Sequence, residues 1–227
     1  MPIVDLAFRI TGKSVPADHG YVLHGALCKA LPGVRGRKPP PGGAEEDTPF
    51  GVHPISGRAI GERQLALHEN SRLTLRVESE QISRFLPLAG KSITLGGSPL
   101  QVGVPEVRPL VPAARLYSRL VIIKGFMQPE PFLEAVRRHL DELGVKGEAG
   151  LLRRQGARAL EGHSGAEPDR CPFIRRTLRI REKEIVGFAV EVRNLTAEES
   201  ILLQEKGLGG RRHFGCGVFV PQGGGEE

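Results

Sequence analysis

The stretch that most constrains this chain is Gly207-Leu208-Gly209-Gly210-Arg211-Arg212-His213-Phe214-Gly215-Cys216-Gly217. It reads as Gly-apolar-Gly, five residues, then Gly-apolar-Gly. Thr196 to Lys206 has the pattern of a helix, and Phe214 to Val220 reads as a short strand stopped by Pro221. A helix that ends in glycine and re-enters a sheet this way needs positive φ and close backbone approach. Successive N–H groups in such a turn form a concave anion site. Arg211 and Arg212 add positive charge to it. The glycines do not fit a nucleotide-binding loop. There is no Gly-x-x-x-x-Gly-Lys, and they follow a helix, whereas a dinucleotide fingerprint follows a strand and opens a helix. The plainer alternative is that they only shape a tight connection.

The elements before this loop repeat one order. Val4, Leu6, Phe8 and Ile10 alternate with polar or small residues, as in a half-buried strand. Asp18 is placed to cap a helix over about 19–31, with Leu23, Ala26, Leu27, Ala30 and Leu31 as its apolar stripe. Residues 32–50 are rich in Pro and Gly and read as a mobile loop or insertion. Short strands follow at 51–55 and 64–67, and a firmer one at Leu73, Leu75 and Val77. Ser79 opens a short helix with Ile82, Phe85 and Leu86 inward. Residues 100–107 return as a strand, which Pro105 demotes to an edge.

After Pro109 and Pro112 the order begins again. Residues 115–124 form a strand, and Pro131 opens a helix ended by Gly144. Residues 147–172 are given no regular structure. Strands follow at 178–181 and 186–192, then a helix opened by a Thr196-x-x-Glu199 capping box. Each half therefore reads β-α-β-β-α-β, the ferredoxin-like unit. The fold class is α+β, with two tandem units over 1–110 and 114–221.

The formal net charge is +6, which permits nucleic acid or an anionic surface as partner. Aromatics are 5% with no Trp, so stacking bases across an aromatic sheet face is poorly supplied. Cys28, Cys171 and Cys216 are odd in number and widely spaced, which argues against disulfides and a structural zinc. No His/Asp/Glu spacing suggests another metal, and no cofactor is expected. The first ten residues resemble neither a signal peptide nor a membrane span, so a cytoplasmic location is the default.

The double Gly-apolar-Gly motif resembles the C-terminal loop of the repeat-associated RNA-binding proteins of CRISPR systems, in particular the endoribonuclease family that processes the repeat transcript. That family is commonly two tandem ferredoxin-like units with this loop between the last helix and last strand. The resemblance spans the chain except 32–50 and 147–172. It implies a metal-independent endoribonuclease that cuts a CRISPR precursor within its repeat, leaving a 2′,3′-cyclic phosphate or 3′-phosphate. It also implies repeat RNA as partner, and guide RNA held with other effector-complex subunits.

Several members place a Tyr and a His three apart on the first helix, and here the pair is Tyr21 and His24. Tyr21, His24 and Cys28 share one shoulder of that helix, beside its apolar stripe. Histidine titrates near neutrality and can carry either proton transfer, while Tyr can position or donate. The alternative for His24 is a structural histidine bonded to backbone. His19, at the first helical turn, is the rival base, with a capping or turn role as its alternative. His53 is a third candidate. Some members carry an apolar-His-Glu shortly after the helix, where this chain has Pro32-Gly33-Val34-Arg35. A non-catalytic RNA-binding subunit is therefore the rival reading, and a generic ferredoxin-like interaction protein the third.

The RNA-binding set is expected to be Gly207, Gly209, Gly210, Arg211, Arg212, His213, Gly215 and Gly217 of the loop, with Arg175, Arg179, Arg181 and Lys124. Arg175, Arg179 and Arg181 fall on one strand face by the period of two. His139 is expected in the core. Each exposed charge has a solvated surface role as its alternative.

Overall fold

A computed structural model describes residues 1–34, 50–154 and 171–222. The chain is a mixed α/β protein built on antiparallel sheets. It divides into two compact units. The first holds Met1–Leu110 with Arg211–Gly215, and the second holds Val111–Gly210 with the residues from Cys216 onward. Among the described residues no helix is long and apolar enough to cross a membrane.

In the first unit β1 (Ile3–Thr11) is followed by β2 (Ser14–Pro16), α1 (Gly20–Ala30), β3 (Phe50–Val52), β4 (Arg58–Ala59), β5 (Gln64–Ala66) and β6 (Arg72–Glu78). Then come the short α2 (Ile82–Phe85), β7 (Ser92–Leu95) and β8 (Ser98–Pro109). The main sheet runs β3-β6-β1-β8-β7, and β2-β5-β4 form a small second sheet. The alternation in β1 puts Leu6, Phe8 and Ile10 on one face, where they are buried with Leu73, Leu75 and Val77 of β6. Leu23, Leu27 and Leu31 of the α1 stripe join the same core. Each such side chain contributes about 1.5–3 kcal/mol by leaving water.

Three details differ from the sequence expectation. The N-cap of α1 is His19 rather than Asp18, and no side chain caps it. Leu86 is exposed while Phe85 and Leu88 are buried, because the chain turns into 3-10 geometry on both sides of α2. A β7–β8 hairpin is present that the sequence pattern does not predict, although Gly96 and Gly97, both at positive φ, supply the two-residue turn it needs. Pro105 sits in the part of β8 beyond its pairing with β7, where a missing N–H removes no ladder bond on that side.

The second unit contains β9 (Leu116–Val121), α3 (Pro129–Leu143), β10 (Glu148–Leu151), β11 (Arg175–Ile180), β12 (Lys183–Arg193), α4 (Ala197–Lys206) and β13 (Val220–Pro221). Its sheet runs β10-β12-β9-β13, and β11 pairs with β12 as well. The helix ends follow the sequence signals. Pro lies in the first turn of α3, Gly144 closes it at φ 75°, and Thr196 and Glu199 form the full capping box of α4. Phe132, Ala135, Val136 and Leu140 of α3 pack with Phe188, Val190 and Val192 of β12.

Residues 148–151, expected to be irregular, form β10 against the C-terminal end of β12. Glycine at 147 and 150 hid the strand. At Gly147 a Cβ would lie 2.5 Å from Leu195 and 2.8 Å from Val192, so glycine is what lets the chain approach. The expected strand over 214–220 shrinks to β13, because 212–214 form a 3-10 turn. Of the expected loops at 32–50 and 147–172, residues 35–49 and 155–170 lie outside the described residues.

Candidate active site

Helix α1 carries Tyr21, His24 and Cys28 at i, i+3 and i+7, so all three line one shoulder. Cys28 is buried, and its sulfur lies 3.5 Å from His24 Nε2. The 3-10 turn Arg212–Phe214, which packs within the first unit, supplies the rest of the cluster. The His213 ring lies 4.8 Å from that of His24, tilted by 56°. Phe214 stands edge-on to His24 at 5.1 Å and to Tyr21 at 5.7 Å. Phe50 of β3 stacks on His24 at 6.2 Å. His24 is thus held among aromatic rings while remaining half-buried.

Two adjacent imidazoles are groups able to accept or donate protons near neutral pH. Burial, then the neighbouring His24 and Arg211, lowers the His213 pKa to about 4, so its ring is neutral at pH 7. The turn is held in an unusual conformation. Arg211 adopts left-handed φ 69°, and Gly215 closes the turn at φ 85°. A non-glycine residue there costs about 1–3 kcal/mol and is found where surrounding structure enforces it.

His19 sits differently. It is 2% exposed. Its Nδ1 lies 2.8 Å from the Pro16 carbonyl, and Nε2 accepts the Ile55 N–H at 2.8 Å. Those bonds fix the neutral Nδ1–H tautomer and tie the entry of α1 to the chain after β3. This is the turn role given as the alternative for His19.

His53 belongs to a third arrangement that sequence reasoning missed. Asp5 points to the face of β1 opposite Leu6 and Phe8 and pairs in register with Arg76 of β6. Arg76 donates from Nε to Asp5 Oδ1 at 2.8 Å and from Nη2 to Oδ2 at 2.9 Å. His53 Nε2 donates to Oδ1 at 3.1 Å. Burial pushes the Asp5 carboxyl up, but the hydrogen bonds from Arg76 and His53 outweigh it and hold the pKa well below the carboxylate range. For His53, burial lowers the pKa, and the Arg76 and Arg212 charges add to this against the pull of Asp5. Alternation alone reads Asp5 as a solvent-facing residue; its partner lies on another strand.

The glycine motif meets its conformational requirement. Gly209 has φ 70°, and a Cβ there would lie 2.3 Å from the Ile122 carbonyl oxygen. Gly217 has φ 65°, with 2.0 Å to the Leu208 carbonyl oxygen. These approaches let the Gly210 N–H reach Ile122 O and the Gly217 N–H reach Leu120 O. Gly207 caps α4 at φ 66°.

Within the second unit the backbone of Gly207–Gly210 lines a cleft of about 540 Å³ together with Lys124, Phe126, His139 and Glu142. His139, expected in the core, is therefore a half-exposed cleft wall, because α3 turns its edge there. Arg175 and Arg179 share one face of β11. Arg181 does not join them: it sits at φ 54° in the turn before β12. Among the described residues no group of three His, Cys, Asp or Glu side chains is gathered as metal ligands.

A family model described as Cas6, Cas6 Crispr, matches residues 4–224. The CRISPR-associated endonuclease Cas6 of Myxococcus xanthus (strain DK1622) is 34% identical over 223 residues, covering 98% of this chain and 83% of that protein. Two solved structures share the fold at low identity. One is described as "CRISPR associated protein Cas6", with TM-score 0.61 and 13% identity over 98% of this chain and 99% of that one. The other is described as "An RAMP protein binding different RNA substrates", with TM-score 0.63 and 12% identity over 96% and 98%. The family match over nearly the whole length, with a relative 34% identical, shows that this chain belongs to the Cas6 family.

Proposed function

We propose that this chain is a metal-independent endoribonuclease that cuts CRISPR precursor RNA within its repeat, with His24 as a general acid–base. The observation that carries the reading is the placement of His24. It lies half-buried on α1, beside a second imidazole and beneath a turn that bears Arg211 and Arg212. Internal cleavage of RNA needs the 2′-hydroxyl proton removed, the 5′-oxygen protonated, and positive charge near the phosphorus. Imidazoles supply the first two, and guanidiniums the third. Tyr21 helps to position the substrate or His24, and His19 keeps the helix entry in place.

The fold reading belongs to the same proposal. Each unit is ferredoxin-like, with domains over 1–110 and 114–221. Its support is the element order β1-α1-β3-β6-α2-β8 with sheet order β3-β6-β1-β8, and the parallel β9-α3-β10-β12-α4-β13 with β10-β12-β9-β13. The RNA follows the loop glycines Gly207, Gly209, Gly210, Gly215 and Gly217, with Lys124 on the cleft they share in part, and Arg175, Arg179 and Arg181 as further phosphate contacts. Structured RNA is read largely through phosphates and shape, which suits such a set. The protein acts in the cytoplasm and hands the product to effector-complex subunits.

Incubation with the repeat RNA of its own locus in EDTA tests this. One cut leaving a 2′,3′-cyclic phosphate or 3′-phosphate and a 5′-hydroxyl is expected. Tight binding without cleavage, with or without magnesium, would instead make it an RNA-binding subunit.

A further inference from the structure

We propose that His213 is the second acid–base residue, taking the 2′-hydroxyl proton while His24 protonates the leaving 5′-oxygen. This rests on the endoribonuclease reading and goes beyond it, since His213 otherwise counts only as an RNA contact of the glycine loop.

Three observations carry it. First, the two rings touch, with centroids 4.8 Å apart, although one sits on α1 and the other on a turn near the far end of the chain. Two imidazoles side by side do not both hold a proton readily, so the pair favours one neutral and one protonated ring. That is the state a concerted acid–base step requires. Second, burial, then the neighbouring His24 and Arg211, keeps the His213 ring neutral at pH 7, the form in which it can accept a proton. Third, His213 is fixed. Its turn is bracketed by left-handed Arg211 and Gly215, and its ring packs on Phe214 at 4.0 Å. A residue that only brushed RNA would not need such a bracket. Among the described residues, the facing elements bring Tyr21 and Cys28 on α1 and Arg211 and Arg212 on the turn to the pair, and His53 past β3 feels the Arg212 charge.

The step balances. A ring nitrogen of His213 accepts the 2′-hydroxyl proton as the 2′-oxygen attacks phosphorus. The bond from phosphorus to the 5′-oxygen breaks, and the 5′-oxygen takes the proton of the His24 imidazolium. The products are a 2′,3′-cyclic phosphate and a 5′-hydroxyl. Proton exchange with water returns both rings to their starting states. The phosphodiester charge raises the basicity of His213 when RNA is bound.

The test is single-turnover cleavage in EDTA by wild type, His213→Gln, His213→Ala and His24→Ala, with RNA affinity and melting temperature measured for each. Two substrates are used: native repeat RNA, and the same RNA with sulfur replacing the bridging 5′-oxygen at the cut. A thiolate leaves without needing a proton. Both His213 variants should cut native RNA about 10²–10⁴-fold more slowly, with near-wild-type affinity. On the sulfur substrate His24→Ala should approach the wild-type rate while the His213 variants stay slow. A wild-type rate in His213→Gln, a loss confined to affinity, or rescue of the His213 variants by sulfur would overturn the assignment while leaving the endoribonuclease reading intact. A wild type that binds but does not cut would overturn both.

Discussion

His24 and His19 lie five positions apart on the same stretch, and their surroundings separate them. His24→Ala is expected to slow cleavage by about 10²–10⁴-fold with little change in binding. Tyr21→Phe should give a smaller loss, since it keeps the ring packed on Phe214. His19→Ala should act on the fold instead. It leaves the Ile55 N–H without its buried acceptor, at a cost of about 1–3 kcal/mol. Melting curves beside single-turnover rates distinguish the two effects. A large rate loss in a stable His19→Ala would contradict the assignment.

His53 and His213 also predict how stability follows pH. Both have folded pKa values below the unfolded histidine value of about 6.5. The folded protein therefore resists protonation that the unfolded chain accepts. Their effect is absent above the unfolded value and lowers stability as pH falls through it. Asp5 acts with the opposite sign: its lowered pKa adds stability that is full above the unfolded carboxylate value and is lost progressively as pH falls from there. The melting temperature should drop between pH 7.5 and 5.5, and His53→Gln should reduce that drop. An unchanged slope in the variant would show that His53 takes no part. Of these residues, the shared helix shoulder of Tyr21 and His24 was legible from their spacing. The Asp5–Arg76–His53 group was not, because nothing local marks residues that meet only through strand register.

At the scale of elements, signals that act within one turn were readable. The capping box of α4, the proline start of α3 and its Gly144 end each satisfy backbone groups locally. β10 and the β7–β8 hairpin were missed because their identity depends on pairing partners, although Gly96-Gly97 marked the second. The glycine loop was legible as backbone geometry, and that geometry makes a prediction. Gly209→Ala and Gly217→Ala should each destabilise by more than about 1 kcal/mol, from positive φ and a Cβ placed against a carbonyl. Gly210→Ala meets nothing within 4 Å and should stay within about 0.5 kcal/mol of wild type. Equal denaturation midpoints for all three would mean that the close approaches do not hold in solution.

At the scale of the molecule, the basic balance permitted nucleic acid without choosing it, and the glycine motif narrowed the choice. What sequence could not show is that Arg211–Gly215 pack with the first unit, which brings His213 to His24. Arg211 and Arg212 place charge beside the histidines, and in the proposed function they also neutralise RNA phosphate. Arg211→Ala with Arg212→Ala should weaken RNA binding and lower the salt slope by about one for each phosphate no longer neutralised. An unchanged slope in the folded variant would remove them from the interface.

The central claim is internal attack by the RNA's own 2′-hydroxyl, and one substitution in the substrate tests it. Single-turnover cleavage in EDTA is compared for repeat RNA and for the same RNA with one 2′-deoxy nucleotide just 5′ of the cut. The account predicts that the deoxy substrate binds almost as tightly and is not cut at that bond. Cleavage of the deoxy substrate at the same bond would require water as nucleophile and would contradict it.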